Sequence, residues 1–111
     1  NEDLIALFRR FLQHQPYAVH GVTSLAQALQ VLTALRPDVI ILDIMMPQQD
    51  GWEVLEALRH RQDAADVPIV ICSVINNPQL AAAMGAAAFL NKPVTRAKLL
   101  QVLDTLFRPA S

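Results

Sequence analysis

A chain of 111 residues has room for one domain with a single core, and its 53% hydrophobic content excludes disorder. A formal charge of −1 and a pI near 6.3 leave no basic footprint for nucleic acid or an anionic membrane surface. No apolar run approaches the roughly 20 residues of a membrane span, and no signal peptide is visible, so a cytoplasmic location is expected.

The chain begins with a helical pattern over 4–12, "LIALFRRFL", which puts Leu4, Leu7, Phe8, Phe11 and Leu12 on one face. Pro16 ends it, and 17–22, "YAVHGV", reads as a short strand. Ser24 with Gln27 forms a capping box for a helix that turns Leu25, Leu29, Leu32 and Leu35 inward and stops at Pro37. Residues 39–42 then read as a strand buried on both faces and closed by Asp43. Asp50 and Glu53 mark another helix start, with Trp52, Leu55 and Leu58 on one side. Pro68 opens "PIVICSV", a continuous apolar run rich in β-branched residues. Asn77 as N-cap and Pro78 at the first helical position begin a short Ala-rich helix that reaches Gly85. "AFL" at 88–90 is a strand, and Thr95 caps a last helix carrying Leu99, Val102, Leu103 and Leu106 inward. Residues 1–107 thus read as one domain, and "RPAS" at 108–111 as a tail or the start of a linker.

Strands and helices alternate, and the two middle strands are apolar throughout. That pattern predicts an α/β fold: a doubly wound parallel sheet covered by helices on both faces. In such a sheet, ligands bind beyond the carboxyl ends of the strands. Asp43, Ser73 and Lys92 all fall at or just past such ends, so three strands deliver an acid, a hydroxyl and an ammonium to one edge. A lone strand-end carboxylate is commonly just a cap; the three together point to chemistry.

These residues resemble the bacterial response-regulator receiver domain. The matching stretches are Asp43 in "LDIMMPQQDGWEVL", Ser73 closing "PIVICS", and Lys92-Pro93 in "GAAAFLNKPV". The resemblance runs from the first helix to the last. It implies a flavodoxin-like sheet of strand order 2-1-3-4-5 and phosphoryl transfer from a histidine kinase or phosphotransfer protein to Asp43. A carboxylate is a competent covalent nucleophile when its target phosphoryl group is held in line. Because carboxylate and phosphate repel, a divalent cation is implied, usually Mg2+, with ligands from Asp43 and the backbone carbonyl of Met45. Lys92 is implied to pair with the phosphoryl group, and Ser73 to move and hydrogen-bond one of its oxygens. Pro93 is implied to fix the turn that aims Lys92, through a peptide bond that is commonly cis in the family. Phe89 falls where the family keeps its switch aromatic; a plain core side chain is the alternative reading.

The same resemblance exposes departures. Receivers open with an apolar strand ending in two acidic residues that bind the cation, whereas this chain opens with a helix. Glu2 and Asp3 either stand in for that pair or serve the dipole of the helix they begin. The expectation is that an upstream strand exists, or that another chain supplies it. The interval from Ser73 to Lys92 is short, as in receivers fused to sensor kinases, which leaves the output surface open. Met45 and Ile75 flank the path of the hydrolytic water in this family, so either they prolong the phosphoryl-aspartate or they pack locally.

The expected function is therefore a phosphorylation-controlled switch and not an enzyme acting on outside substrates. The phosphoryl donor is expected to dock near the first helix, where Leu4 and Phe8 are candidate contacts, and whether an output or kinase domain is fused to the chain is left open. A pseudo-receiver that binds proteins without phosphorylation is the alternative. A dehalogenase-type hydrolase needs a second acid two residues after Asp43, where this chain has Met45, and a nucleotide-binding domain needs glycine motifs that are absent. Cys72 cannot form an internal disulfide, and no CxxC or Cys/His spacing points to zinc. It reads as a small buried apolar residue with nothing nearby to lower its pKa. His14, His20 and His60 read as surface residues, and Gly21, Gly51 and Gly85 as servants of backbone geometry.

Overall fold

A computed structural model describes residues 2–15, 17, 20, 25–35, 37–44, 51–62 and 66–107, with backbone alone at 2, 3 and 35. Strands β1 (Ile40–Asp43), β2 (Ile69–Ser73) and β3 (Ala88–Asn91) pair in parallel, in the order β1-β2-β3. The helices are α1 (Glu2–Phe11), α2 (Leu25–Leu35), α3 (Gly51–Arg59), α4 (Pro78–Ala83) and α5 (Arg96–Phe107). The α/β alternation read from the sequence is thus present: α3 connects β1 to β2, and α4 connects β2 to β3.

The middle strand explains why the apolar run must be continuous. All five residues of β2 are buried, because strands pair on both its edges and helices cover both its faces. Side chains alternate across a strand. Ile69 and Ile71 enter one core with Leu42, Leu55, Leu58, Leu32 and Ala81, the face covered by α2, α3 and α4. Val70 and Cys72 enter the other, with Phe8, Leu12, Leu90, Leu99 and Leu103 beneath α1 and α5. Fully burying such an aliphatic side chain contributes about 1.5–3 kcal/mol, so the sheet edge that bears Asp43 and Ser73 rests on a rigid support.

Helix ends follow the local chemistry. Asn77 Oδ1 accepts the Leu80 N–H at 3.2 Å, with Pro78 at the first helical position, as expected. Thr95 Oγ1 accepts the Lys98 N–H at 3.2 Å and caps α5. Gly85 follows α4 with φ of 94°, a left-handed conformation that favours glycine.

The structure also corrects several boundaries. β1 begins at Ile40, not at Val39, and includes Asp43, because Asp43 still pairs with Cys72. β2 ends at Ser73, as expected, although the apolar run continues: Val74 is exposed, having left the ladder. α4 ends at Ala83, short of Gly85. Phe8 on α1 and Leu12 just past its end are buried, and Leu4 and Phe11 pack beside them, while Leu7 is half-buried outside that cluster. The strand expected at 17–22, apart from Tyr17 and His20, lies outside the described residues, as do Ser24, Asp50 and the tail at 108–111.

Candidate functional site

Asp43 closes β1 and is 7% exposed. The ladder continues one step past it, where the Ile44 N–H donates to the Cys72 carbonyl at 3.1 Å. Ile44 is buried and lies against the start of α3. A Cβ on Gly51 would collide with Ile44 Cα and stand 2.8 Å from Ile44 O and 2.9 Å from its Cδ1. Gly51 is therefore required by close approach, which clasps the residue after Asp43 between β2 and α3.

Lys92 follows β3. Its N–H donates to the Ser73 carbonyl at 2.8 Å, which registers the turn against β2. The Lys92-Pro93 peptide bond is cis, and Lys92 Nζ donates to Asp43 Oδ1 at 2.9 Å. With the two side chains 17% and 7% exposed, this ion pair is less screened than a surface pair. Ser73 is 2% exposed, and its Oγ accepts the Ile75 N–H at 3.0 Å. Acid, hydroxyl and ammonium thus occupy one edge of the sheet, at or just past the ends of three strands, as their positions in the sequence predict.

Cys72 stands beside this group on β2, opposite Asp43. Burial pushes its thiol up to about 11, against the opposing pull of the Lys92 charge, with the Asp43 carboxylate adding to the rise. The expectation that nothing nearby lowers its pKa is thus corrected: Lys92 does, but burial outweighs it.

Phe89 lies opposite Ile71 and is half-buried against the core beneath α3 and α4. Phe8, expected to meet a phosphoryl donor, is 6% exposed and committed to the core, which removes it as a contact. Met45 lies outside the described residues, as do the side chains of Glu2 and Asp3. His14, His20 and His60 are exposed, as expected. Among the described residues no three His, Cys, Asp or Glu side chains gather to hold a metal ion. Asp43 does supply a hard anionic oxygen at the rim, the donor type that Mg2+ takes from a protein while keeping waters or phosphate oxygens for its other positions.

Sequence reasoning passed over Asn91, whose Nδ2 donates to the carbonyls of Ser73 and Val74 at 3.2 and 3.4 Å. An asparagine next to Lys-Pro carries no signal of its own, because its acceptors belong to the neighbouring strand. It also passed over Arg59, whose Nη2 donates to the Val67 carbonyl at 2.7 Å and fastens the end of α3 to the entry of β2.

Residues 1–104 match the family described as response regulator receiver domain. The response regulator MprA of Mycobacterium sp. (strain KMS) is 34% identical over 106 residues, which cover 93% of this chain and 45% of that protein. The chain spans about half the length of the curated relatives it matches. Among solved structures, the chemotaxis protein CheY4 of Vibrio cholerae aligns with a TM-score of 0.86 at 28% identity, over 96% of this chain and 92% of that one. The receiver domain of sensor histidine kinase PA1611 from Pseudomonas aeruginosa, solved with a magnesium ion in its active-site cleft, aligns with a TM-score of 0.80 at 24% identity. That alignment covers 96% of this chain and 89% of that one.

Proposed function

Since this chain belongs to the response regulator receiver domain family of two-component systems, we propose that Asp43 is its phosphoacceptor. The donor is a histidine kinase or a phosphotransfer protein. A carboxylate oxygen of Asp43 attacks the phosphorus of a phosphohistidine; the new P–O bond forms as the P–N bond breaks, and the imidazole nitrogen leaves with the electron pair.

The observation that carries this reading is the contact of Lys92 Nζ with Asp43 Oδ1 at 2.9 Å, with buried Ser73 on the next strand end. The ammonium holds a fixed positive charge where negative charge arrives, and it can follow the phosphoryl oxygens as a point charge. Ser73 Oγ, now the acceptor of the Ile75 N–H, turns to donate to a phosphoryl oxygen. Phe89 and the exposed Val74 and Ile75 respond to that movement and change the surface offered to an output partner. Asp43 and the Met45 carbonyl would hold Mg2+, which neutralises charge between carboxylate and phosphate. The family relation and the kinase partner support a cytoplasmic location; among the described residues no helix is long and apolar enough to cross a membrane.

The test is intact-mass measurement of the full-length protein after treatment with acetyl phosphate and Mg2+. One added phosphoryl group in the wild type and none in Asp43→Asn is the expected result. An unmodified wild type would identify the chain as a scaffold that binds partners without phosphorylation.

A further inference from the structure

Asn91 is the last residue of β3, between buried Leu90 and Lys92. Its amide faces the junction between β2 and α4, donating through Nδ2 to the Ser73 carbonyl at 3.2 Å and the Val74 carbonyl at 3.4 Å. The planar NH2 group carries two hydrogens in a fixed fork, which suits two successive carbonyls. The opposite orientation would set Oδ1 against the same two oxygens, so the acceptors decide which way the amide points. The Ser73 carbonyl also takes the Lys92 N–H at 2.8 Å, so β3 grips this junction through backbone and side chain together.

Among the described residues, little else holds it. Val74 is 57% exposed and Ile75 63% exposed, so neither is fixed by packing. The remaining described tie is local, the Ile75 N–H on Ser73 Oγ at 3.0 Å. On the phosphoacceptor reading, that tie is the one Ser73 would give up as its side chain swings to a phosphoryl group on Asp43. The backbone that must follow is the backbone whose carbonyls Asn91 holds.

We infer that Asn91 is a positioning residue: its amide clamps the β2–α4 junction and sets how readily Ser73 is released toward Asp43. The inference rests on the phosphoacceptor reading for its consequence, though the clamp itself can be measured without phosphate. Removing the amide lowers the cost of the shifted state relative to the resting one, so the population able to stabilise the phosphoryl group grows.

The experiment compares the full-length wild type with Asn91→Leu, near in size but without donors, and with Asn91→Ala. Amide hydrogen exchange at Val74 and Ile75 is read beside Ile71 and Leu99, which lie in the core. Losing about one hydrogen bond accelerates exchange at Val74 and Ile75 roughly threefold to tenfold, with Ile71 and Leu99 unchanged. Phosphorylation by acetyl phosphate rises by a similar factor. Unchanged exchange at Val74 and Ile75 would overturn the clamp, and so would faster exchange spread over all four sites, because that reports a general loss of stability. Local acceleration without faster phosphorylation would overturn the link to Ser73. If the wild type takes no phosphoryl group while exchange responds locally, the phosphoacceptor reading fails and the clamp stands.

Discussion

Asp43 and Ser73 end neighbouring strands at the same edge of the sheet, yet the chain leaves them in opposite ways. After Asp43 comes Ile44, buried, bonded to Cys72 and pressed against Gly51 at the start of α3. After Ser73 come Val74 and Ile75, more than half exposed and held by hydrogen bonds rather than by packing. Close-packed interiors resist displacement, whereas an exposed junction tied by a few hydrogen bonds, each with a net value of about 0.5–1.5 kcal/mol, can open at small cost. The difference separates two duties. Under the proposed function, the group that would take the phosphoryl is anchored, and the group that would sense it opens into the looser junction.

Changes at the anchored side are expected to be severe. Lys92→Met removes the fixed cation from Asp43 and should slow phosphorylation by acetyl phosphate by about 100- to 1,000-fold, as loss of a donor at a site of developing charge does. A time course of intact mass measures it; a rate close to wild type would show that the ion pair is only structural. Gly51→Ala places a methyl group against the Ile44 backbone and should cost about 1–3 kcal/mol in a denaturant melt. An unaffected midpoint would mean that the clasp over Asp43 yields easily, and the contrast between the two strand ends would collapse.

Smaller effects sharpen the comparison. The Cys72 thiol is raised to about 11 from an ordinary 9.0, so the folded state favours its neutral form. Its contribution to stability is complete below pH 9 and is lost as the pH rises through about 11, because the unfolded chain ionises first. The wild type should therefore lose more of its melting temperature over that window than Cys72→Ala does, as differential scanning calorimetry at several pH values would show. Ile75→Ser, on the exposed side, should shift stability by no more than about 0.5 kcal/mol in the same denaturant assay. A larger loss would show that the junction is packed after all.

Much of this was legible in the sequence because it depends on local pattern. The apolar, β-branched run "PIVICSV" at 68–74 reads as a strand covered on both faces, and Asn77-Pro78 and Thr95 state their helix starts within a few residues. The meeting of Asp43, Ser73 and Lys92 followed from the rule that parallel strands present their carboxyl ends along one edge. What escaped depends on contacts between distant segments. Nothing local in "DGWEVL" reveals that Ile44 passes within contact of Gly51, and nothing beside Asn91 names the carbonyls of Ser73 and Val74 as its acceptors. Val74 has a side chain suited to a strand, but the ladder ends where the chain must turn toward α4.

Trapping the acyl phosphate asks without intermediaries whether Asp43 receives the phosphoryl group. After acetyl phosphate and Mg2+, borohydride reduction converts a phosphorylated aspartate to homoserine, which peptide mass mapping can place in the chain. Homoserine at position 43 alone is the predicted result. Reduction at another carboxylate, with Asp43 intact in a protein that has gained phosphate, would contradict the account.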